Sequence, residues 1–194
     1  MELKDEQKIN ASRETVYAAL NDPEILQQCI PGCETLEKTS ETDMAATISL
    51  KVGPVKVKLK GAVELSNLNP PESYTITGEG KGGPAGFAKG GADIKLIEEI
   101  DGTLLQYTVN VNIGGKLAQL GTRLIDSTAR KLSGEFFEKF GELVESDTEH
   151  QSTNDTTEVL TQELDERDKT QSSKVWLYAG AVVIILAGYG LYVR

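Results

Sequence analysis

The hydrophobic pattern of this chain changes its period near Gly115, and that change limits the folds it can adopt. Between Ala46 and Ile113, apolar and polar residues alternate in successive runs, as they do in strands with one buried face. After Gly115 the apolar residues recur three, four or eight positions apart, which predicts one long amphipathic helix. A run of strands closed by one helix predicts an α+β fold in which a curved antiparallel sheet packs around that helix.

Turn signals divide the alternating region into separate strands. Gly53-Pro54, Pro70-Pro71, the glycine-rich residues 81–84 and Asp101-Gly102 interrupt it, and Asp-Gly between apolar runs favours a hairpin. The sequence therefore predicts strands at residues 46–52, 55–60, 62–68, 74–80, 86–98 and 103–113.

Two short helices are predicted before these strands, after a first strand. Ser12 is suited to cap a helix that reaches Leu20, and Asp22-Pro23 is suited to begin a second helix that runs through Leu26. The long helix after Gly115 presents an apolar stripe to the sheet, formed by Leu117, Leu120, Leu124, Leu132, Phe136, Phe140 and Leu143.

The last residues form the most apolar part of the chain. Residues 175–193, VWLYAGAVVIILAGYGLYV, contain no charge and at ~1.5 Å per residue are long enough to cross a hydrocarbon core of ~30 Å. We predict one transmembrane helix at residues 174–194, which attaches the protein to the cell membrane as a single-pass C-terminal anchor. Because the N-terminal residues contain no apolar signal segment, we expect the main domain, residues 1–145, to lie in the cytoplasm.

The segment between domain and anchor is strongly acidic. Residues 146–173 are rich in Ser, Thr, Gln and acidic residues and contain no aromatic residue, which predicts a disordered linker. The whole chain has a net charge of −10. Nucleic acid is therefore not an expected partner, since binding to its phosphates requires clustered Lys and Arg.

Several motifs spread over residues 1–145 resemble the CoxG family, which is named for carbon monoxide dehydrogenase. They are LNDP at residues 20–23, CIPGCE at 29–34, KVGPVK at 51–56, GEGKGGPAGFAKG at 78–90 and GGKLAQLGTRLID at 114–126. The resemblance implies a helix-grip domain of the superfamily that binds lipids and polyketides. It also implies a partner, a molybdenum hydroxylase such as the carbon monoxide dehydrogenase complex, which the protein recruits to the cytoplasmic membrane.

A helix-grip fold leaves room for an apolar small molecule between its sheet and its long helix. The candidate cavity residues are Leu120, Leu124, Phe136, Phe140, Tyr107 and Phe87. A solid core is the alternative for each of them, because periodic apolar residues mark a buried face whether or not a ligand occupies it. With a membrane anchor beside it, such a cavity suggests a bound respiratory quinone or another membrane lipid, and no covalently attached cofactor.

The glycine-rich stretch also suggests a docking surface for a partner. Lys81 and Lys89 flank Phe87, which would serve as an apolar anchor, and the alternative is an ordinary solvated hairpin. Gly78, Gly80 and Gly83 match the spacing of a dinucleotide-binding motif. A nucleotide site is not expected there, because the strand pattern resumes where that motif requires a helix.

Catalytic and metal-binding residues are not apparent. Residues 1–145 contain no histidine to act as a general base, and Cys29 and Cys33 are the only cysteines of the chain. Two thiols do not complete a zinc site, and a reducing cytoplasm disfavours a disulfide, so we expect a structural role for the pair.

The leading interpretation is a membrane-anchored, non-enzymatic accessory protein of a molybdenum-containing dehydrogenase. The alternative is a carrier of lipids or hydrophobic metabolites that has no dehydrogenase partner. An enzyme acting on an aromatic substrate is disfavoured by the missing acid–base residues.

Overall fold

The structure is a computed structural model that describes residues 2–158, of which 146–158 are described by their backbone alone. The chain divides into two units, Met1–Thr153 and Asn154–Arg194. The helices and strands, in chain order, are β1 (Glu2–Ile9), α1 (Arg13–Ala19), α2 (Pro23–Cys29), β2 (Cys33–Lys38), β3 (Asp43–Val52), β4 (Val55–Asn69), β5 (Ser73–Lys81), β6 (Phe87–Glu99), β7 (Gly102–Gly114) and α3 (Thr122–Glu158), with short 3-10 turns at Gly83–Ala85 and Ala118–Leu120.

The strands form one antiparallel sheet of seven strands in the order β1-β7-β6-β5-β4-β3-β2. Strands β2 to β7 follow one another as hairpins, and β1 pairs with β7, with Glu2 opposite Asn110. The two short helices connect β1 to β2. This arrangement confirms the predicted α+β fold with an antiparallel sheet and a long helix after the last strand.

The short helices begin where the sequence predicts. The Ser12 side chain accepts a hydrogen bond from the Thr15 amide, and the Asp22 side chain accepts from the Glu24 and Ile25 amides. These bonds satisfy amide groups that have no partner inside a helix. The second helix ends at Cys29, a little beyond the predicted Leu26.

One half of the long helix anchors the core. Phe140 and Val144 of α3 have exposed fractions of 0% and 1%, and they belong to the same buried cluster as Leu105 of β7, Leu96 of β6 and Val16 of α1. Burying a side chain of this size contributes about 1.5–3 kcal/mol to stability. The end of the helix around Phe140 is therefore held firmly against the sheet and α1.

Three boundaries differ from the prediction. The long helix begins at Thr122 instead of near Gly115, because Gly115 and Gly121 have φ angles of +74° and +85° and interrupt a helix. Residues 55–60 and 62–68 form the single strand β4, since Gly61 continues the ladder. The edge strand β2 was not predicted, because its short sequence alternates too weakly to stand out.

The C-terminal predictions fall partly outside the described residues. Helix α3 continues to Glu158, so residues 146–158 are helical where the sequence predicted an irregular linker. Extending an established helix costs far less than starting one, which accounts for the difference. Residues 159–173 and the predicted span at 174–194 lie outside the described residues. Among residues 2–158, no helix is both long and apolar enough to cross a bilayer.

The register of the β3–β4 hairpin generates a testable prediction about stability. Lys51 lies directly opposite Lys56, and like charges at such cross-strand positions destabilise a sheet. We expect Lys56→Glu to raise the free energy of unfolding by about 0.2–1 kcal/mol, measured by urea denaturation at low salt. The control is Lys95→Glu, because Lys95 faces Ser73 and Gln106 instead of another lysine. An equal gain in both variants would contradict this explanation.

Candidate functional site

An apolar cavity of about 490 Å³ lies between the inner face of the sheet and the helices. Strands β3 to β7 form its floor, with Met44, Ile48 and Leu65 among the lining residues. Leu26 and Ile30, at the end of α2, and Phe136 of α3 complete the wall. We call this space the main cavity. Its size and its apolar lining are typical of small-molecule sites.

The main cavity exists because small residues occupy its floor. Strands β4, β5 and β6 contribute Gly61, Gly78, Gly80, Gly90 and Ala92 to the lining. Side chains of alternate strand residues point to one face of a sheet, so a glycine on the inner face leaves that volume empty. The sheet under this part of the cavity is therefore little more than backbone.

One of these glycines is not required by the backbone. A Cβ atom on Gly61 would lie 2.5 Å from the carbonyl oxygen of Glu79, and one on Gly78 would lie 2.7 Å from that of Ala62. A Cβ on Gly80 would meet only Leu59, at an ordinary contact distance of 3.7 Å. Close strand packing therefore accounts for Gly61 and Gly78, whereas Gly80 has the effect of keeping the cavity open.

Aromatic rings separate the main cavity from the solid core. The Phe136 ring stacks on Phe140 with a centroid distance of 5.7 Å and meets Phe137 edge-on at 5.0 Å. Phe137 in turn stacks on Tyr107 at 5.4 Å. Aromatic pairs in such arrangements contribute about 0.5–1.5 kcal/mol beyond their buried area. The rings form one rigid row, and Phe136 is its member at the main cavity.

A smaller pocket of about 350 Å³ shares Ile30, Ile48 and Phe136 with the main cavity. Tyr107 and Ser133 supply its polar groups. Burial raises the pKa of the Tyr107 phenol, and this effect outweighs the lowering by Ser133. The phenol therefore remains protonated at neutral pH.

A larger groove of about 1050 Å³ lies on the outer face of the sheet. Charged and polar side chains line it, among them Lys4, Glu6, Asp93, Lys95 and Gln106. Ligand sites are mostly apolar and enclosed, and these long polar side chains remain in contact with water. The main cavity is therefore the better candidate site despite its smaller volume.

The predicted cavity residues have different positions in the structure. Phe136 lines the main cavity, and Tyr107 lines the smaller pocket. Phe140 differs from the prediction, because one helical turn beyond Phe136 it is fully buried in the core. Leu124 instead packs against the β3–β4 turn, where its Cδ2 lies 2.6 Å from the position of a Cβ on Gly53.

Leu120 and Phe87 are also absent from the lining of both pockets. Leu120 ends a 3-10 turn that precedes α3, so it is not part of the helical stripe to which the sequence assigned it. Phe87 begins β6 on the outer face and is 39% exposed. Strand parity explains this position, since Ala88 and Gly90, at the alternate positions, line the cavity.

The predicted docking residues lie together on the outer face. Lys81 of β5 is directly opposite Phe87 of β6, and Glu79 is opposite Lys89. The Lys81 ammonium group contacts the Glu79 carboxylate at 3.5 Å. The structure thus brings Lys81, Phe87 and Lys89 onto one exposed surface.

Sequence reasoning missed most of the cavity floor. Ala46, Ile48, Ile76 and Val109 line the cavity, as do the glycines of β4 to β6. A signal was present, because successive strands carry glycine or alanine at inner positions where large residues would normally fill a core. That pattern becomes readable only once the strand register is known.

Both cysteines are free thiols. Cys29 is part of the core cluster, and burial raises its pKa. Gly78 and Gly80 lie in β5, and Gly83 begins a 3-10 turn instead of an α-helix, so their spacing does not produce a nucleotide-binding loop. Within the described part of the chain, no group of His, Cys, Asp and Glu has the geometry to hold a metal ion.

The comparisons with known proteins agree with this architecture. The family model of the CoxG subunit of carbon monoxide dehydrogenase matches residues 6–145, which is most of the chain. The chain belongs to the CoxG family. None of the curated proteins matches it.

Solved structures extend the comparison of the fold. A conserved protein from Geobacillus kaustophilus is 31% identical with a TM-score of 0.71, and the match covers 75% of this CoxG chain and 96% of that chain. Ara h 8.0201 is 15% identical with a TM-score of 0.55, covering 75% and 98% of the two chains. The di-domain ARO/CYC BexL of the BE-7585A biosynthetic pathway is 13% identical with a TM-score of 0.53, covering 73% and 49%. The last two show a shared fold.

Filling the main cavity should abolish binding without unfolding this CoxG protein. The Cβ of Gly80 has room, so we expect Gly80→Phe to fold and to place its ring in the cavity. Fluorescence titration with anilinonaphthalene sulfonate, a probe of apolar surface, should show binding at least about tenfold weaker, a change of about 1.4 kcal/mol. Thr77→Phe is the control, because it adds the same ring to the exposed outer face of β5. Equal binding in both variants would exclude the main cavity as the site.

Truncation should distinguish core aromatic residues from cavity residues. Phe140→Ala removes a ring with an exposed fraction of 0%, and we expect it to lower the free energy of unfolding by about 3–5 kcal/mol. Phe136→Ala enlarges a space that already exists, so it should cost less than half as much and alter probe binding. Urea denaturation of both variants measures the difference. Equal costs would mean that Phe136 belongs to the solid core.

Proposed function

We propose that this chain binds an apolar molecule, specifically a respiratory quinone, in the main cavity and carries it between the membrane and a molybdenum-containing dehydrogenase. The observation that carries this proposal is the cavity of about 490 Å³ with its glycine-lined floor. Gly80 supports it in particular, because no backbone contact requires glycine at that position. A small side chain retained there keeps volume available for a ligand.

The family supplies the proposed partner. Its name refers to a carbon monoxide dehydrogenase. An oxidoreductase that delivers electrons to a membrane needs an acceptor that dissolves in lipid, and a quinone is such an acceptor. The cavity is lined by alkyl and aromatic groups and offers few polar anchors, which suits an isoprenoid ligand better than a charged metabolite.

Membrane attachment and the lack of catalysis are further parts of the proposal. The uncharged residues 175–193 support a single-pass C-terminal anchor, with residues 1–145 on the cytoplasmic side. Residues 1–145 contain no histidine, and Cys29 is buried with a raised pKa, so neither supplies a general base or a ready nucleophile there. We therefore propose a carrier that recruits its partner and is not itself an enzyme.

Extraction of the full chain tests the ligand. We expect the protein, purified from its own membranes in mild detergent, to release a quinone into organic solvent, in amounts approaching one molecule per chain. The Gly80→Phe variant should release none, and Thr77→Phe should release as much as the unmodified protein. Recovery of a different lipid would favour the alternative function, a lipid or metabolite carrier. Recovery of no small molecule from the unmodified protein would refute the carrier function.

Crosslinking in intact membranes tests the partner separately. A molybdenum flavoprotein among the captured proteins would support recruitment of a dehydrogenase. Its absence, with a quinone still bound to the protein, would leave a carrier without that partner. The two results are independent, because Gly80→Phe alters the cavity and leaves the outer surface unchanged.

A further inference from the structure

The outer face of strands β3 to β6 carries a concentration of positive charge in an acidic protein. The register places Lys51 opposite Lys56, and Lys60 opposite Lys81. Alternate residues on β4 and a neighbouring strand complete the group. We call this surface the lysine face, and it consists of Lys51, Lys56, Lys58, Lys60, Lys81 and Lys89, with Phe87 among them.

Only part of this charge is neutralised. Lys58 pairs with Glu34, and Lys81 contacts Glu79. Throughout the part of the chain with described side chains, no ion pair reaches Lys51, Lys56, Lys60 or Lys89. The whole chain, by contrast, has 30 acidic and 20 basic residues. The lysine face is therefore strongly segregated from the acidic remainder.

The arrangement is unfavourable for the sheet itself. Two directly opposed lysine pairs repel each other, and a neutral or acidic residue at either position would relieve the repulsion. Phe87 adds a second cost, because 39% of its surface is exposed to water. Neither feature improves folding, so both point to a surface that is covered by a partner.

We propose that the lysine face rests on the anionic phospholipid headgroups of the membrane, with Phe87 entering the headgroup layer. Lysine is a flexible point charge that attracts phosphate without a fixed geometry, and basic residues near an anionic leaflet each add to the attraction. An apolar ring among basic side chains is the composition of surfaces that lie on membranes. Protein interfaces, in contrast, favour Arg, Tyr and Trp and are poor in Lys.

This inference rests on the proposed membrane attachment but not on the ligand. It adds an orientation, because the domain is held with the outer face of β3 to β6 toward the lipid. Flotation of the full chain with phosphatidylcholine vesicles reports attachment by the anchor alone. Contact of the lysine face with lipid requires a different measurement, so the two can fail separately.

A tryptophan at position 87 provides that measurement. Trp176 is the only tryptophan of the chain, so Phe87→Trp in a Trp176→Phe background gives a single reporter. The full-length protein is reconstituted into phosphatidylcholine vesicles with or without one-third phosphatidylglycerol, each containing lipids with a quencher in the headgroup region. We expect fluorescence to fall about twofold or more in the anionic vesicles only. Raising the salt from about 0.1 M to about 1 M should restore it.

Charge reversal supplies matched controls. Lys56→Glu with Lys60→Glu should abolish the quenching, whereas Lys38→Glu with Lys95→Glu, which changes the net charge equally at exposed sites elsewhere, should not. Lys89→Trp is a second reporter that covers the case in which Phe87→Trp disturbs β6. Equal fluorescence in both kinds of vesicle, for both reporters, would overturn the proposal. So would crosslinking of the lysine face to an acidic protein in native membranes while the reporter stays unquenched on anionic vesicles.

Discussion

The packing of one half of α3 against the sheet allows the other half of the interface to remain hollow. Phe140 and Val144 are fully buried against Leu96, Leu105 and Val16, and this contact holds the helix in place. One turn earlier, Phe136 faces the main cavity. An unfilled space of this size would normally be costly, because its lining loses contacts. The cost is tolerable here because the well-packed half carries the stability of the domain.

Periodicity was sufficient to predict the fold and insufficient to predict the site. The alternation between Ala46 and Ile113 and the apolar stripe after it correctly indicated an antiparallel sheet and a helix. The same stripe assigned Phe136 and Phe140 equal standing, although one lines the cavity and the other fills the core. A buried face is a property of a single element. A cavity is a property of the fit between elements, which depends on register and on the position of glycines in distant strands.

The start of α3 shows the same limitation in local structure. Leu117, Leu120 and Leu124 continue the helical spacing, so the pattern extended the helix back to Gly115. Backbone conformation decided otherwise, because the positive φ of Gly121 ends the irregular segment just before Thr122. Leu117 is buried all the same, with an exposed fraction of 5%. Apolar spacing therefore identified a residue that packs, but not the backbone that positions it.

The two faces of β4 to β6 depart from ordinary sheet design in opposite ways. Their inner positions hold glycine and alanine where large apolar residues would stabilise a core, and their outer positions oppose lysine to lysine. Tight backbone approach accounts for Gly61 and Gly78, but neither backbone geometry nor sheet stability accounts for Gly80 or for the lysine pairs. Natural sequences depart from local rules mainly where function requires it. Because both departures fall on the same three strands, this part of the sheet is where a ligand and a membrane surface would meet opposite sides of one thin wall.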